Sequence, residues 1–259
     1  MKASVPKAVA LSMLLAGCTA GGGPGTDPSS TLPDRPIDRV ARFLRGDVAS
    51  ELQVRVWVEE GVEVPGDPWV RLVDLLEEVT DKPGGISVDV VPVSLPSQDW
   101  TFDGYEAELD RLAQPVGGDV AVMDILAARG AYLDNDDPVL GLSWSWSRIV
   151  LLVDPLTEAC DAAAGGGSGS GHTRICEATW SAIARHEAGH VIGLVGNGAP
   201  MVEDHEDPEH VHHDPDPDCL MYYAWDRAEL SGRVADEDLE LCDASLADLA
   251  AIRDAADPP

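Results

Sequence analysis

"HEAGHVIGLVGNG", His186 to Gly198, is the stretch on which the reading of this chain turns. His186, Glu187 and His190 spell H-E-x-x-H, and Gly193 follows three residues after the second histidine. On a helix, residues four apart share a face, so His186 and His190 can grip one ion. Glu187 stands beside them, able to reach a water on that ion without ligating it. Catalytic zinc takes three protein ligands and keeps one position open for that water. The ion draws the water's pKa towards neutrality, and the glutamate accepts its proton as the water attacks a carbonyl. The spacing fits peptide hydrolysis. The bland alternative is a helix that carries two unrelated histidines and a solvated glutamate.

The site stops one ligand short. In the pattern H-E-x-x-H-x-x-G-x-x-H the third histidine falls at position 196, which is Gly196 here. Downstream, "HDPDPDCLMYY", His213 to Tyr223, holds His213, Cys219 and Met221 as H-x5-C-x-M. This resembles the archaemetzincin family, whose third zinc histidine is followed at the same spacings by a cysteine and by the methionine of the Met-turn. The segment also resembles bacterial lipoproteins of metzincin type.

The resemblance implies a metzincin-like zincin with one catalytic zinc on His186, His190 and His213, Glu187 as general base, and Met221 as an apolar floor beneath the metal. It also points to Tyr223, which stands where astacin-like and serralysin-like enzymes place a tyrosine that steadies the oxyanion. Tyr222 competes for that role, and plain packing explains either. The chain departs from the family twice. "LVGNGAPMVEDHEDPEHVH" separates Gly193 from the third histidine, and Asp214 stands where the family has a cysteine, with no C-x-x-C for a second structural zinc. His205, in "HED", is the alternative third ligand, but its spacing to Met221 does not match. His210 and His212 read as solvated, and His172 as an ordinary loop histidine. The acids from Glu203 to Asp218 could hold Ca2+, which prefers carboxylate oxygens. Pro208, Pro215 and Pro217 interrupt any regular ligand loop, so a solvated loop is the plainer reading.

The amino terminus sets the compartment. Lys2 and Lys7 form a basic region ahead of "AVALSMLLAG", an apolar run too short to span a bilayer. It ends in "LAGC", Leu15 to Cys18, which resembles the bacterial lipoprotein signal box. The expectation is a signal peptide over residues 1–17, a lipidated Cys18 and a flexible Gly/Pro/Ser/Thr tether over 18–36. One metzincin-like domain then covers 37–259. Thr19 is not an acidic retention signal, which favours the outer membrane or cell surface.

Export makes the other cysteines readable as disulfides. Of the three connectivities open to Cys160, Cys176, Cys219 and Cys242, neighbour pairing is the simplest: Cys160–Cys176 and Cys219–Cys242. The first would tie off a Gly/Ser loop, with a stabilisation of about 3 kcal/mol. Of the 259 residues, 47 are acidic and 17 are Lys or Arg, for a formal net charge of −30. That balance argues against nucleic acid as a partner, because phosphate contacts need clustered basic side chains.

Away from the motif, "ELQVRVWVEE" alternates as a half-buried strand with Leu52, Val54, Val56 and Val58 on one face. "DPWVRLVDLLEEVTD" has helical spacing, with Asp67 as N-cap, Pro68 at the first helical position, and Val70, Val73, Leu76 and Val79 along one side. "ISVDVVPV" and "DVAVMDILA" are further strands around a short helix, "DGYEAELDRLA". "VLGLSW" and "SRIVLLVD" are two more, joined tightly through Trp146. "DASLADLAAIRDA" closes the chain as a helix, with Ser245 and Asp248 spaced as a capping box. This order defines an α+β domain with one mixed, twisted sheet of about five strands, an active-site helix and a C-terminal helix.

The function expected is a membrane-anchored zinc endopeptidase acting on a peptide or protein substrate. The competing class is a non-catalytic, zinc-scavenging lipoprotein that uses the His/Asp-rich loop 203–218. Glu187 separates the two, since scavenging needs no general base.

Overall fold

The computed structural model describes residues 35–134, 139–144, 147–223 and 239–255. The signal segment, Cys18 and the tether as far as residue 34, together with the link through Trp146, lie outside the described residues, and Pro36 already belongs to the first helix.

Five strands form one sheet in the order β2-β1-β3-β5-β4: β1 (Glu51–Glu59), β2 (Gly85–Val93), β3 (Val120–Ala128), β4 (Gly141–Trp144) and β5 (Arg148–Leu152). β1, β2, β3 and β5 pair in parallel, and β4 joins β5 antiparallel at one edge. Strand side chains alternate between faces. Leu52, Val54, Val56 and Val58 of β1, with Ala121, Met123, Ile125 and Ala127 of β3, therefore enter the larger core. Trp57, Leu126, Ala128, Val150 and Leu152 enter a smaller one on the opposite face.

α2 (Pro68–Val79), α5 (Ser170–Val191) and α6 (Asp243–Arg253) lie in the larger core, and α3 (Phe102–Leu112) covers the other face with Tyr105 and Leu109. α5 is the centre of the molecule. From Thr179 to Gly189 every residue is buried, which is the mark of a helix enclosed on all sides. α2 and α4 (Val153–Ala163) pack against it directly. No helix among the described residues is long and apolar enough to cross a membrane.

The α+β class, the mixed five-stranded sheet and both named helices are present. Four expectations need correction. α1 (Pro36–Leu44) is a helix that buries Val40, Ala41, Phe43 and Leu44, where the sequence suggested only the start of the fold. α4 replaces the start of the loop expected after β5, and α5 begins at Ser170, so Cys160–Cys176 staples a helical hairpin. On α2 the buried face is Trp69, Leu72, Leu76 and Val79. Val70 is 52% exposed, because Trp69 and not Val70 turns towards the core, and Asp67 makes no side-chain cap. Ser245 and Asp248 form no capping box either: Cys242 holds the N-cap position, and both side chains are buried, Ser245 beside Cys219 and Cys242 and Asp248 against Val202 and His205.

Candidate metal centre

α5 ends where the metal-binding face needs it to end. Gly193 adopts φ 102°, its N–H donates to His190 O (3.1 Å), and Leu194 N–H donates to Gly189 O (3.0 Å). Those two bonds, around a residue in left-handed backbone, stop the helix at Val191, one residue past His190, and redirect the chain. A side chain at Gly193 would strike Val40 and the Ala199 backbone. The excursion that follows is closed by its own polar groups. His212 Nδ1 bonds Val195 O (3.2 Å), and the Glu206 carboxylate accepts from His212 N–H (2.7 Å). Val195 and His212 themselves hold positive φ, 48° and 70°.

The far end of this loop returns His213 to the helix. Ligand nitrogens of His186, His190 and His213 all lie within 4.8 Å of one another. The His213 ring is stacked on His186 (centroids 5.3 Å apart) and edge-on to His190 (5.1 Å). His186 Nε2 and His190 Nε2 are 3.2 Å apart. Two nitrogens bound tetrahedrally to one zinc at ~2.05 Å sit about 3.3 Å apart, so the spacing fits that ion.

The tautomers of His186 and His213 fit as well. His186 Nδ1 donates to Leu220 O (2.7 Å) and His213 Nδ1 to Val211 O (3.1 Å), which leaves each Nε2 with its lone pair. His190 Nδ1 meets the Asn197 side-chain amide at 3.0 Å. That Asn197 nitrogen also donates to Leu194 O (2.9 Å), so the N–H side of the amide faces the His190 ring. Burial favours the neutral ring at all three. It pushes His186 down to about 3, assisted by the neighbouring His213, and lowers His190 and His213 too.

Glu187 lies against the edge strand β4. Burial raises its carboxyl to about 7, opposed by a hydrogen bond from Ser143 on β4. Gly141 gives it room: a Cβ there would fall 2.7 Å from Glu187 Oε1. Met221 is fully buried beneath α5, and a Cβ on Gly189 would come within 2.4 Å of its sulfur.

The remaining sequence candidates fall into distinct places. His205 is not with the three imidazoles; it lies between Asp214 and Asp248. His210 is bonded to Asp207 and stacked on Tyr223, which also touches Tyr222. His172 pairs with Asp161 beside the Cys160–Cys176 bridge. Asp214 comes together with Cys219 and Cys242, which are joined to each other as a disulfide.

Three contributors escaped the sequence reading: Ser143 and Gly141 against the base, and Asn197 behind His190. Asn197 follows His190 by only seven residues, and its place just past the helix end was the available signal.

No family model matches this chain, and no curated protein does. Among solved structures, an archaemetzincin from Methanopyrus kandleri is similar, with 14% sequence identity and a TM-score of 0.48. The match covers 77% of this chain and 94% of that one. A likeness that distant adds nothing to the geometry above.

Proposed function

We propose that the protein is a zinc-dependent endopeptidase, with the metal held by His186, His190 and His213. The observation that carries this reading is the arrangement of three neutral, convergent imidazoles beside a buried carboxylate that is not needed as a ligand. A zinc ion held there would supply Lewis-acid activation of a water and of a peptide carbonyl. Glu187 takes the proton from the attacking water, its affinity for that proton raised by burial and trimmed by Ser143. β4, the edge strand beside Glu187, offers an extended peptide a backbone to pair with, a common way of recognising chain rather than side chain. Tyr223 is the candidate that steadies the oxyanion. Cys18 carries the lipid that anchors the enzyme to a membrane through the Gly/Pro/Ser/Thr-rich tether.

The scavenging alternative draws less support. Four of the loop's eight carboxylates are already engaged in holding the loop: Glu206 with His212, Asp207 with Glu209 N and His210, and Asp214 and Asp216 with the backbone two residues on. The same bonds weigh against a calcium site there.

Glu187→Ala separates the readings. The variant should keep about one zinc per molecule and lose hydrolysis of an unfolded protein substrate. Unchanged turnover rejects the mechanism, and loss of zinc makes Glu187 structural.

A further inference from the structure

His205 stands with both ring nitrogens against carboxylates: Nδ1 lies 2.6 Å from Asp214 Oδ2, and Nε2 lies 2.9 Å from Asp248 Oδ2. A neutral imidazole has one N–H and one lone pair, so it can satisfy only one ionised carboxylate. Bonding both at these distances requires the imidazolium. The triad is enclosed: the side chains of His205, Asp214 and Asp248 are 10%, 4% and 0% exposed. Its outer oxygens are also used, since Asp248 Oδ1 accepts from Val202 N (2.6 Å) and Asp214 Oδ1 from Asp216 N (2.7 Å). A charge placed this deeply, with all partners in place, marks a fixed element of structure.

Its position gives it a task. Asp248 belongs to α6, His205 to the excursion, and Asp214 directly follows His213 in the chain. The Asp214 N–H donates to Met221 O (2.9 Å), and residue 214 is bridged to Tyr222. The line from α6 through His205 to Asp214 therefore ends on the backbone that carries the third imidazole.

We infer that His205 is a positioning residue: as a cation locked between Asp214 and Asp248, it holds His213 in place for the metal without touching the metal itself. The inference rests on the zinc site proposed above. Nothing in it requires His205 to meet substrate, and it explains why a histidine so near the ligands in sequence points the other way.

The test is zinc affinity, read by competition with a chromophoric chelator, in the full exported chain. His205→Gln and Asp248→Asn each remove a charge while keeping size. Each should weaken zinc binding by about 10- to 100-fold, the usual loss when a partner behind a ligand is removed, while still filling to one zinc at saturation. Leu109→Ala, in the small core across the sheet, supplies a control chosen for comparable loss of Tm, and it should leave zinc affinity unchanged. Asp248→Asn carries the test if His205→Gln does not fold. Unchanged affinity in both charge variants, or an equal loss in the control, overturns the inference while leaving the metal site standing. A His205→Gln protein that takes no zinc even at saturation makes His205 a ligand and overturns it too. A wild type that takes no zinc overturns both this inference and the site.

Discussion

Gly141 and Glu187 lie so close that a side chain on one would displace the other. A Cβ built on Gly141 falls 2.7 Å from Glu187 Oε1 and 2.8 Å from its Cγ, with Ile183 Cγ2 at 2.9 Å behind. The edge strand therefore does more than close the sheet: its glycine shapes the space in which the base works. Gly141→Ala should lower kcat by on the order of ten- to a hundredfold, because small displacements of a reacting group are costly. Zinc content should be unchanged, since the atoms nearest a Cβ there belong to Glu187 and Ile183 and to none of the three imidazoles. Equal kcat in variant and wild type would show that Glu187 has slack the structure does not indicate.

Asn197 is the partner of His190 at the back of the ring. Removing such a partner frees the ring to rotate out of line with the metal. Asn197→Leu should therefore weaken zinc binding by about tenfold or more at nearly constant Tm. An unchanged zinc dissociation constant would dismiss Asn197 from the site.

How much of this was visible beforehand depends on the range of the contact. His186, Glu187 and His190 are legible because a helix places i and i+4 together whatever surrounds it. His213 was legible only through its spacing to Met221, that is, by resemblance. Ser143 and Gly141 precede Glu187 by more than forty residues and belong to another element, so no local pattern reports them. His205 shows the same limit from the other side. A histidine in an acidic loop reads as a ligand or as solvated, and what decides is Asp248, 43 residues further on and fully buried. α4 was missed for a different reason: Pro155 follows the apolar run of β5 so closely that the run reads as a strand ending in a loop. In fact the proline sits in the first turn of the helix, where its missing N–H costs nothing.

The Cys219–Cys242 bridge joins the residue two before Met221 to the start of α6. Replacing both cysteines with serine should cost about 2–4 kcal/mol of stability, as expected for releasing a loop of this size. Chemical denaturation at fixed zinc measures it, and a loss under 1 kcal/mol would mean that the ion triad alone secures this end of the loop.

His205 also fixes a pH dependence. Burial, the strongest single influence, works against its charge, but the hydrogen-bonded carboxylates of Asp248 and Asp214 together outweigh it and raise the ring above its ordinary 6.5. The folded protein therefore holds the proton to higher pH than the unfolded chain does. The stabilisation is complete below about 6.5 and fades as pH climbs through the raised folded value. The charged groups that meet the ring are Asp214 from its own loop and Asp248 from α6. Thermal melts across this range at constant zinc should show wild type losing its advantage over His205→Gln as pH rises. A constant difference across the range would mean that the ring is not the imidazolium.

The zinc-edge X-ray absorption spectrum of the purified protein tests the central claim most directly. Three imidazoles from His186, His190 and His213 with an open fourth position predict a first shell of nitrogen and oxygen at ~2.0–2.1 Å, with strong imidazole scattering behind it. His213→Ala should lose a third of that outer scattering along with most of the bound metal. A sulfur shell at ~2.3 Å, or an oxygen shell without imidazole scattering, would place the metal on cysteines or on the acidic loop and would contradict the account.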